Sequence, residues 1–489
     1  MDKIFEQING KNYIGGNWLS EKEIIQVDNP SSGEIIGYVP NLSKENLLQA
    51  INNTCQMAKP WAGSTVDQRY KILRKWQELQ HTYLNELAEL LTLEQGKTLD
   101  ESRKEVLYGE SFIDWFACVI KSSSTYVRPG NSNEHKLIAE KEPIGPVAAI
   151  TPWNFPSAMV TRKIAPALAA GCSVILKPSE FTPFSALAQA KLLEEAGLPA
   201  GVLNVVTSDA TLFGDIVCRD FRIHKLSFTG STRVGKLLYE KSANSLRKLS
   251  LELGGNAPYI IFADSDLDKV SDDLIGIKLR SGGQSCTSPN RIFIENSVYD
   301  KLVELIAQKF SACKVGDGFT ESNKIGPLIN AQAIEKISFL LKDAQQKGAK
   351  IICGGKHNGN FMEPSVIRDC TDDMDISSTE IFGPVIACYS FFSVEEVLDR
   401  ANNTEYGLQS YLYSKDIRRA NYIASKLDFS MVSINSSFPA TTKAPFSGRK
   451  ASGFGVEGSH EGLDEYLVSE YLVSKYIFQS ITNDVLARL

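Results

Sequence analysis

The chain has 489 residues, a formal net charge of −6 and a pI of about 5.6. That length is too great for one compact core, so two or three domains are expected. The acidic balance excludes a protein drawn as a whole to nucleic acid or to an anionic membrane, and a positive site for an anionic substrate has to be local. The nine cysteines are an odd number, scattered without a CxxC pair, and the five histidines are far apart. This excludes the common zinc frameworks and fits free thiols in a reducing compartment. The opening MDKIFEQINGKNYIGGNW lacks the charged and apolar segments of a leader. No apolar run reaches the roughly 18 residues of a membrane helix. The expectation is a soluble cytoplasmic protein that holds no metal.

Residues 1–40 alternate short β-type runs with Gly, Asn and Pro turns, and from Ser43 helical patterns dominate. Ser64-Thr-Val-Asp67 reads as a capping box that opens an amphipathic helix to about Gln80. Further helical patterns cover about 82–95 and 98–121, and residues 122–145 form a polar, two-stranded insert. The rhythm then changes. Continuous apolar runs at Pro146–Ile150, Cys172–Leu176, Val202–Val206 and Lys225–Thr229 alternate with helical patterns at about 157–170, 182–196, 209–219 and from 232. Such alternation predicts a parallel sheet covered on both faces, which binds ligands beyond the carboxyl ends of its strands. A second α/β series runs from Pro258 to about Asn435, with strands at Pro258–Phe262, Arg291–Glu295 and Val385–Phe391. The tail Tyr471–Phe478 alternates like an edge strand. It pairs either with another chain, giving an oligomer, or inside its own chain.

The stretch Arg280–Arg291 puts one cysteine, Cys286, in a glycine-rich, proline-terminated loop between a helix (266–279) and a strand. A thiol at such a junction is open to attack a substrate, and the loop N–H groups are placed to hold an oxyanion. The other eight cysteines read as inert fillers. Glu252 lies between two leucines in Leu249–Pro258. An apolar setting raises a carboxyl pKa toward that of a general base, although a solvent-facing strand residue is the commoner case for a lone Glu. Asn154, in Thr151-Pro-Trp-Asn-Phe-Pro156, follows the first parallel strand as an oxyanion donor or as an ordinary turn asparagine. Lys177 and Glu180 stand beyond the second strand, where ribose hydroxyls are held. Gly230–Gly235 opens a helix after the fourth strand, which suits a pyrophosphate, but it is not GxGxxG and is weak alone.

Together, TPWNFP (151–156), KPSE (177–180), FTGST (228–232), LELGGNAP (251–258), GQSC (283–286), EIFGP (380–384) and PF-S-G (445–448) resemble the aldehyde dehydrogenase superfamily over essentially the whole chain. The resemblance implies oxidation of an aldehyde to an acid with a nicotinamide cofactor. It implies Cys286 as nucleophile, Asn154 and the Cys286 N–H as oxyanion donors, and Glu252 as the base that activates water. Lys177 and Glu180 match adenine-ribose contacts, Trp153, Gly230 and Ser231 the pyrophosphate region, Glu380 the nicotinamide-ribose contact and Phe382 the ring's neighbour. The implied fold is α/β: a Rossmann-like parallel-sheet cofactor domain (1–121 and 146–253), a second α/β catalytic domain (254–453), and a small β oligomerisation element (122–145 and 454–489). The implied assembly is a homodimer or homotetramer.

Residues 151–178 are most similar to those of succinate-semialdehyde dehydrogenases. In those enzymes two arginines grip the distal carboxylate, and Arg162 and Arg280 match them. The alternative for each is a solvated helix arginine. A serine of that subfamily falls at Ala440, beside Thr441, within an unusual segment (436–442) that leaves glutarate semialdehyde or another aldehyde open. The position two residues after the nucleophile is Ser288, so no disulfide switch is expected there. A carboxylate at Glu180 repels a 2′-phosphate, which predicts NAD as the preferred cofactor with NADP possible.

Overall fold

The computed structural model describes residues 2–122, 126–129, 136–437 and 441–474. Two large sheets organise them. In the first, the strands Leu203–Val205, Val174–Lys177, Val147–Ile150, Lys225–Thr229 and Lys248–Glu252 lie side by side in that order, all parallel. The chain runs outward from Val147–Ile150 in one direction, then returns to its other side with Lys225–Thr229. The reversal leaves a crevice at the carboxyl ends of those two strands, the place where open α/β sheets bind ligands. Short antiparallel strands close the edges: Asn12–Ile14 and Asn17–Leu19 on one side, Gly453–Phe454 on the other.

The second sheet has the order Lys350–Cys353, Ser365–Arg368, Val385–Phe391, Pro289–Glu295, Ala257–Ile261, Gln409–Tyr413 and Met431–Ile434. All of its pairings are parallel except the first. Its central strands are buried along nearly their whole length, as their largely apolar sequence requires, and Asn290 and Arg291 are buried with them. A third sheet joins Tyr126–Pro129, Lys136–Pro143 and Leu467–Ser474, all antiparallel. The edge strand read from the tail thus pairs inside its own chain through residue 474, and residues 475–478 lie outside the described part.

Local signals place most elements within a residue or two. Three differ. A helix, Asp2–Ile8, precedes the short strands of the first 40 residues. The capping box sits one residue later than read: Thr65 caps the helix Val66–Thr82, and Gln68 completes the reciprocal pair. The box needs Glu or Gln at its fourth position, and Ser64 would have offered Asp67. The third difference is the helix Ala158–Ala170. All 13 of its residues are buried, including Arg162 and Lys163. It lies under the long helix Leu99–Val119, where Gly109 gives it room: a Cβ there would stand 3.0 Å from Thr161 Oγ1.

Candidate active site

Register brings the site together. Across the first sheet Lys177 pairs with Ile150, Ile150 with Phe228, and Thr229 with Glu252. The carboxyl ends of four strands therefore open onto one cleft of about 780 Å³. Trp153, Asn154, Lys177, Glu180, Gly230, Ser231, Glu380, Phe382 and Cys286 all line it. Residues from both halves of the chain meet there, which no local pattern dictates.

Cys286 is partly exposed, whereas its neighbours Ser285 and Thr287 are buried. The loop holds it by close backbone packing. A Cβ on Gly255 would stand 2.3 Å from the Cys286 carbonyl oxygen, and one on Gly283 (φ +78°) would stand 2.2 Å from that of Gly383. Glycine is required at both places, because the loop presses against the LELGG turn on one side and the EIFGP turn on the other. Among the described residues the Cys286 backbone N–H donates no hydrogen bond. The Asn154 side-chain Nδ2 donates to Gln284 O at 2.9 Å, which leaves one of its two N–H groups for another acceptor. Burial, with Glu380 and Glu252 adding to it, pushes the Cys286 thiol up to about 12, while Arg162 and Arg280 pull it down.

Glu252 is 3% exposed, and neither of its carboxylate oxygens has a hydrogen-bond partner among the described residues. Burial raises its pKa well above the carboxylate range, Glu457 raises it further, and Arg162 and Lys163 oppose. Glu457 is the reverse case. Burial works against its ionisation, but Lys163 and Arg162 outweigh it and hold it below the usual value. Lys163 Nζ lies 2.5 Å from Glu457 Oε1, and Arg162 Nε lies 2.7 Å from Glu457 Oε2 in an ion pair poorly aligned for a hydrogen bond. Two carboxylates thus share one buried region, with the charge settled on the one that touches both cations.

Arg162 is buried, whereas Arg280 is partly exposed. Arg162 is 4% exposed, its guanidinium 3.9 Å from the Phe446 ring centroid and 5.3 Å from that of Phe112. Arg280 lies 4.7 Å from the Phe155 centroid and 5.7 Å from that of Tyr108, and makes no ion pair or hydrogen bond among the described residues. Thr441 is exposed, and its recorded hydrogen bonds stay within residues 441–444. Thr441 is not part of the cleft lining, and neither are Glu252, Arg162 and Arg280. Ala440 lies outside the described residues.

The cleft fits a dinucleotide. Lys177 Nζ is buried, donates to Pro178 O, and lies 3.5 Å from Glu180 Oε2, whose side chain is 44% exposed. Ser231 caps the helix Thr232–Ser242, so a helix N-terminus faces the cleft, as a pyrophosphate site demands. The buried hydroxyls of Thr151 and Thr229 line the same crevice without hydrogen-bond partners among the described residues. Glu380 accepts the Gly255 N–H at 3.0 Å, and burial pushes its carboxyl up to about 7 against the pull of Gly255, Lys336 and Lys278. The Trp153 and Phe382 rings meet edge to face at 5.5 Å. No helix among the described residues is long and apolar enough to cross a membrane, and no group of three or more metal-type ligands occurs among them.

Sequence reading missed Glu457, Lys163, Lys97 and Glu105. For Glu457 no signal existed, because its partners lie far away in the chain. For Lys163 there was one: two adjacent cations in an otherwise apolar helix ask for a buried anion.

Comparison with known proteins agrees with this geometry. The model of the Aldehyde dehydrogenase family matches residues 18–471. The succinate-semialdehyde dehydrogenase [NADP(+)] of Escherichia coli is 43% identical over 459 residues, covering 93% of this chain and 95% of that one. The glutarate-semialdehyde dehydrogenase of Pseudomonas putida is 44% identical over 458 residues, with 93% and 95% covered. The crystal structure of succinate-semialdehyde dehydrogenase from Burkholderia pseudomallei superposes with a TM-score of 0.95 at 43% identity, covering 96% of this chain and 99% of that one.

Proposed function

The chain belongs to the aldehyde dehydrogenase family, and from that premise we propose that it oxidises a semialdehyde with a distal carboxylate, succinate semialdehyde first, to the dicarboxylic acid. The observation that carries the proposal is Arg280, a cation near the nucleophile with aromatic faces around it, Glu101 in its field, and no carboxylate in ion-pair contact with it among the described residues. A planar guanidinium held this way offers a fork to a carboxylate. Arg162 adds a second positive charge from the other side of the chain.

In this reading Cys286, held as the thiol by its surroundings, loses its proton to solvent, and the thiolate sulfur adds to the aldehyde carbon. The free N–H of Asn154 and the Cys286 N–H stabilise the oxyanion of the thiohemiacetal. A nicotinamide dinucleotide bound in the cleft supplies the hydride acceptor. Loss of hydride leaves a thioester on the Cys286 sulfur. Glu252, whose carboxylate has no hydrogen-bond partner among the described residues, takes a proton from water as the oxygen adds to the thioester carbon. The acid departs and the thiolate is restored.

The acceptor proposed as preferred is NAD. Glu180 sits beside Lys177 at the end of its strand, accepts ribose hydroxyls, and repels a 2′-phosphate that Lys177 alone would attract. Glutarate semialdehyde is the second reading, supported by the Pseudomonas putida relative. It keeps the carboxylate and adds one methylene, a difference that pockets discriminate by only about 1–3 kcal/mol. A homodimer or homotetramer is proposed from the strand Leu467–Ser474, paired on one side only among the described residues. Nine free cysteines fit a cytoplasmic setting.

The test is a panel of succinate semialdehyde, glutarate semialdehyde and uncharged aldehydes of similar length, each with NAD and with NADP. Equal efficiency on charged and neutral aldehydes refutes the carboxylate reading, and preference for NADP refutes the role given to Glu180. Cys286→Ala should abolish turnover while leaving dinucleotide binding. Glu252→Gln should still give a burst of NADH, and loss of that burst would assign Glu252 to an earlier step.

A further inference from the structure

We infer that Lys97 is a positioning residue for this reaction: with Glu105 it holds the backbone around Asn154 so that the Asn154 amide meets the oxyanion formed on Cys286. The inference rests on the reading of Asn154 as an oxyanion donor.

Lys97 lies in the turn between the helices Leu84–Gln95 and Leu99–Val119 and is 2% exposed. Its ammonium donates to Asn154 O at 2.8 Å and to Glu105 Oε2 at 2.5 Å, and lies 4.1 Å from the Phe155 ring centroid. Glu105 Oε1 in turn accepts the backbone N–H groups of Ser157 at 2.9 Å and Ala158 at 3.2 Å. One buried ion pair therefore grips both ends of the segment 154–158, a carbonyl at one end and two N–H groups at the other. The segment needs outside support. It is an irregular turn with Pro152 before it and Pro156 within it, and Ser157 makes no side-chain cap of its own for the helix that follows. Glu105 supplies that cap with a charged group, which suits a helix N-terminus. The other recorded contact of Asn154 O is a long one, from Ser281 Oγ at 3.4 Å.

A buried pair of this kind is a weak argument for stability and a stronger one for orientation, since each member has fixed partners in a dry site. An oxyanion donor is sensitive to displacements well below the length of a hydrogen bond. Lys97 does not line the cleft. It acts through Asn154.

The test is a double-mutant cycle on the rate of the NADH burst, using the full chain with succinate semialdehyde and NAD. Asn154→Ala is expected to slow the burst about 10²–10³-fold. Lys97→Met is expected to slow it about 10–10²-fold, with Lys97→Arg recovering most of the loss and KM for NAD unchanged. The double variant should be no slower than Asn154→Ala alone. A second readout needs no cofactor: aldehyde protection of Cys286 from iodoacetamide, which reports thiohemiacetal formation, should weaken in the same non-additive way. Multiplicative losses, or a Lys97→Met burst within twofold of wild type, overturn the inference while leaving Asn154 in its role. An Asn154→Ala burst near the wild-type rate overturns the oxyanion reading and this inference with it. If Lys97→Met does not fold, Glu105→Gln enters the same cycle with the same expected non-additivity.

Discussion

Arg162 and Arg280 bear on one thiol from two parts of the chain, and they are not equivalent. Arg162 sits in a wholly buried helix of the first sheet's layer, ion-paired to Glu457. Arg280 stands at the end of the helix Leu267–Leu279, with aromatic rings around it and no carboxylate within ion-pairing distance among the described residues. One positive charge is matched by an ion pair inside the protein, and the other makes none among the described residues, which is why it is proposed as the anchor for the substrate carboxylate. A buried cation with its own anion contributes to the field of the site, whereas an unmatched one defines what the site selects.

The largest expected effect follows from that difference. Arg280→Gln should lower kcat/KM for succinate semialdehyde by about 10²–10³-fold, or about 3–4 kcal/mol, with little change for an uncharged aldehyde. Parallel steady-state kinetics on the two substrates measure it, and equal losses would erase the distinction. Arg162→Gln should cost less in selectivity and more in the fold. Glu457 keeps Lys163 but loses one cation, so a loss of about 2 kcal/mol is expected, visible as a melting point lower by about 4 °C. Arg162 also opposes the rise in the Glu252 pKa. Its removal should move the pH at which thioester hydrolysis reaches half its maximum upward.

The thiol provides a gentler probe. With the Cys286 pKa pushed up to about 12, alkylation by iodoacetamide in the absence of cofactor should accelerate about tenfold per pH unit between pH 7 and 9. Glu380→Gln removes an anion that raises this pKa, so it should speed alkylation at fixed pH, and Arg280→Gln should slow it. The smallest effect concerns Glu252. A carboxyl whose pKa is raised by folding costs stability once the pH exceeds its unfolded value, because the unfolded chain sheds that proton more readily. Glu252→Gln should therefore melt about 2 °C higher than wild type at pH 8. The gain should vanish below about pH 4, where both states keep the proton.

Much of this was legible in the residues. Apolar runs of five to seven residues alternating with helical patterns announced one covered parallel sheet and a second α/β series, whose own parallel sheet the structure supplied. The cap of the helix Val66–Thr82 was misplaced by one residue, since Ser64 and Thr65 both qualify and only the partner three residues on decides. Cys286, Glu252 and Asn154 stood out by their settings and by the motifs around them. The burial of Arg162 was not legible: an arginine in a helix is ordinarily solvated, and only the layer above it removes the water.

By itself the sequence determined the strand order of chemistry: which side chains stand just past the ends of apolar strands, and which loop carries an accessible thiol. Those are local facts, set by alternation, turns and glycine. Tertiary structure alone decided which charges are matched. Glu457 and Glu252 are both glutamates in mixed surroundings, and Arg162 and Arg280 are both arginines on helices. Their settings separate only because folding brings Lys163 and Arg162 against Glu457, leaving, among the described residues, Glu252 without a hydrogen-bond partner and Arg280 without an ion pair. Charge pairing in a dry interior depends on contacts of a few ångströms between distant segments, and no local pattern encodes those distances.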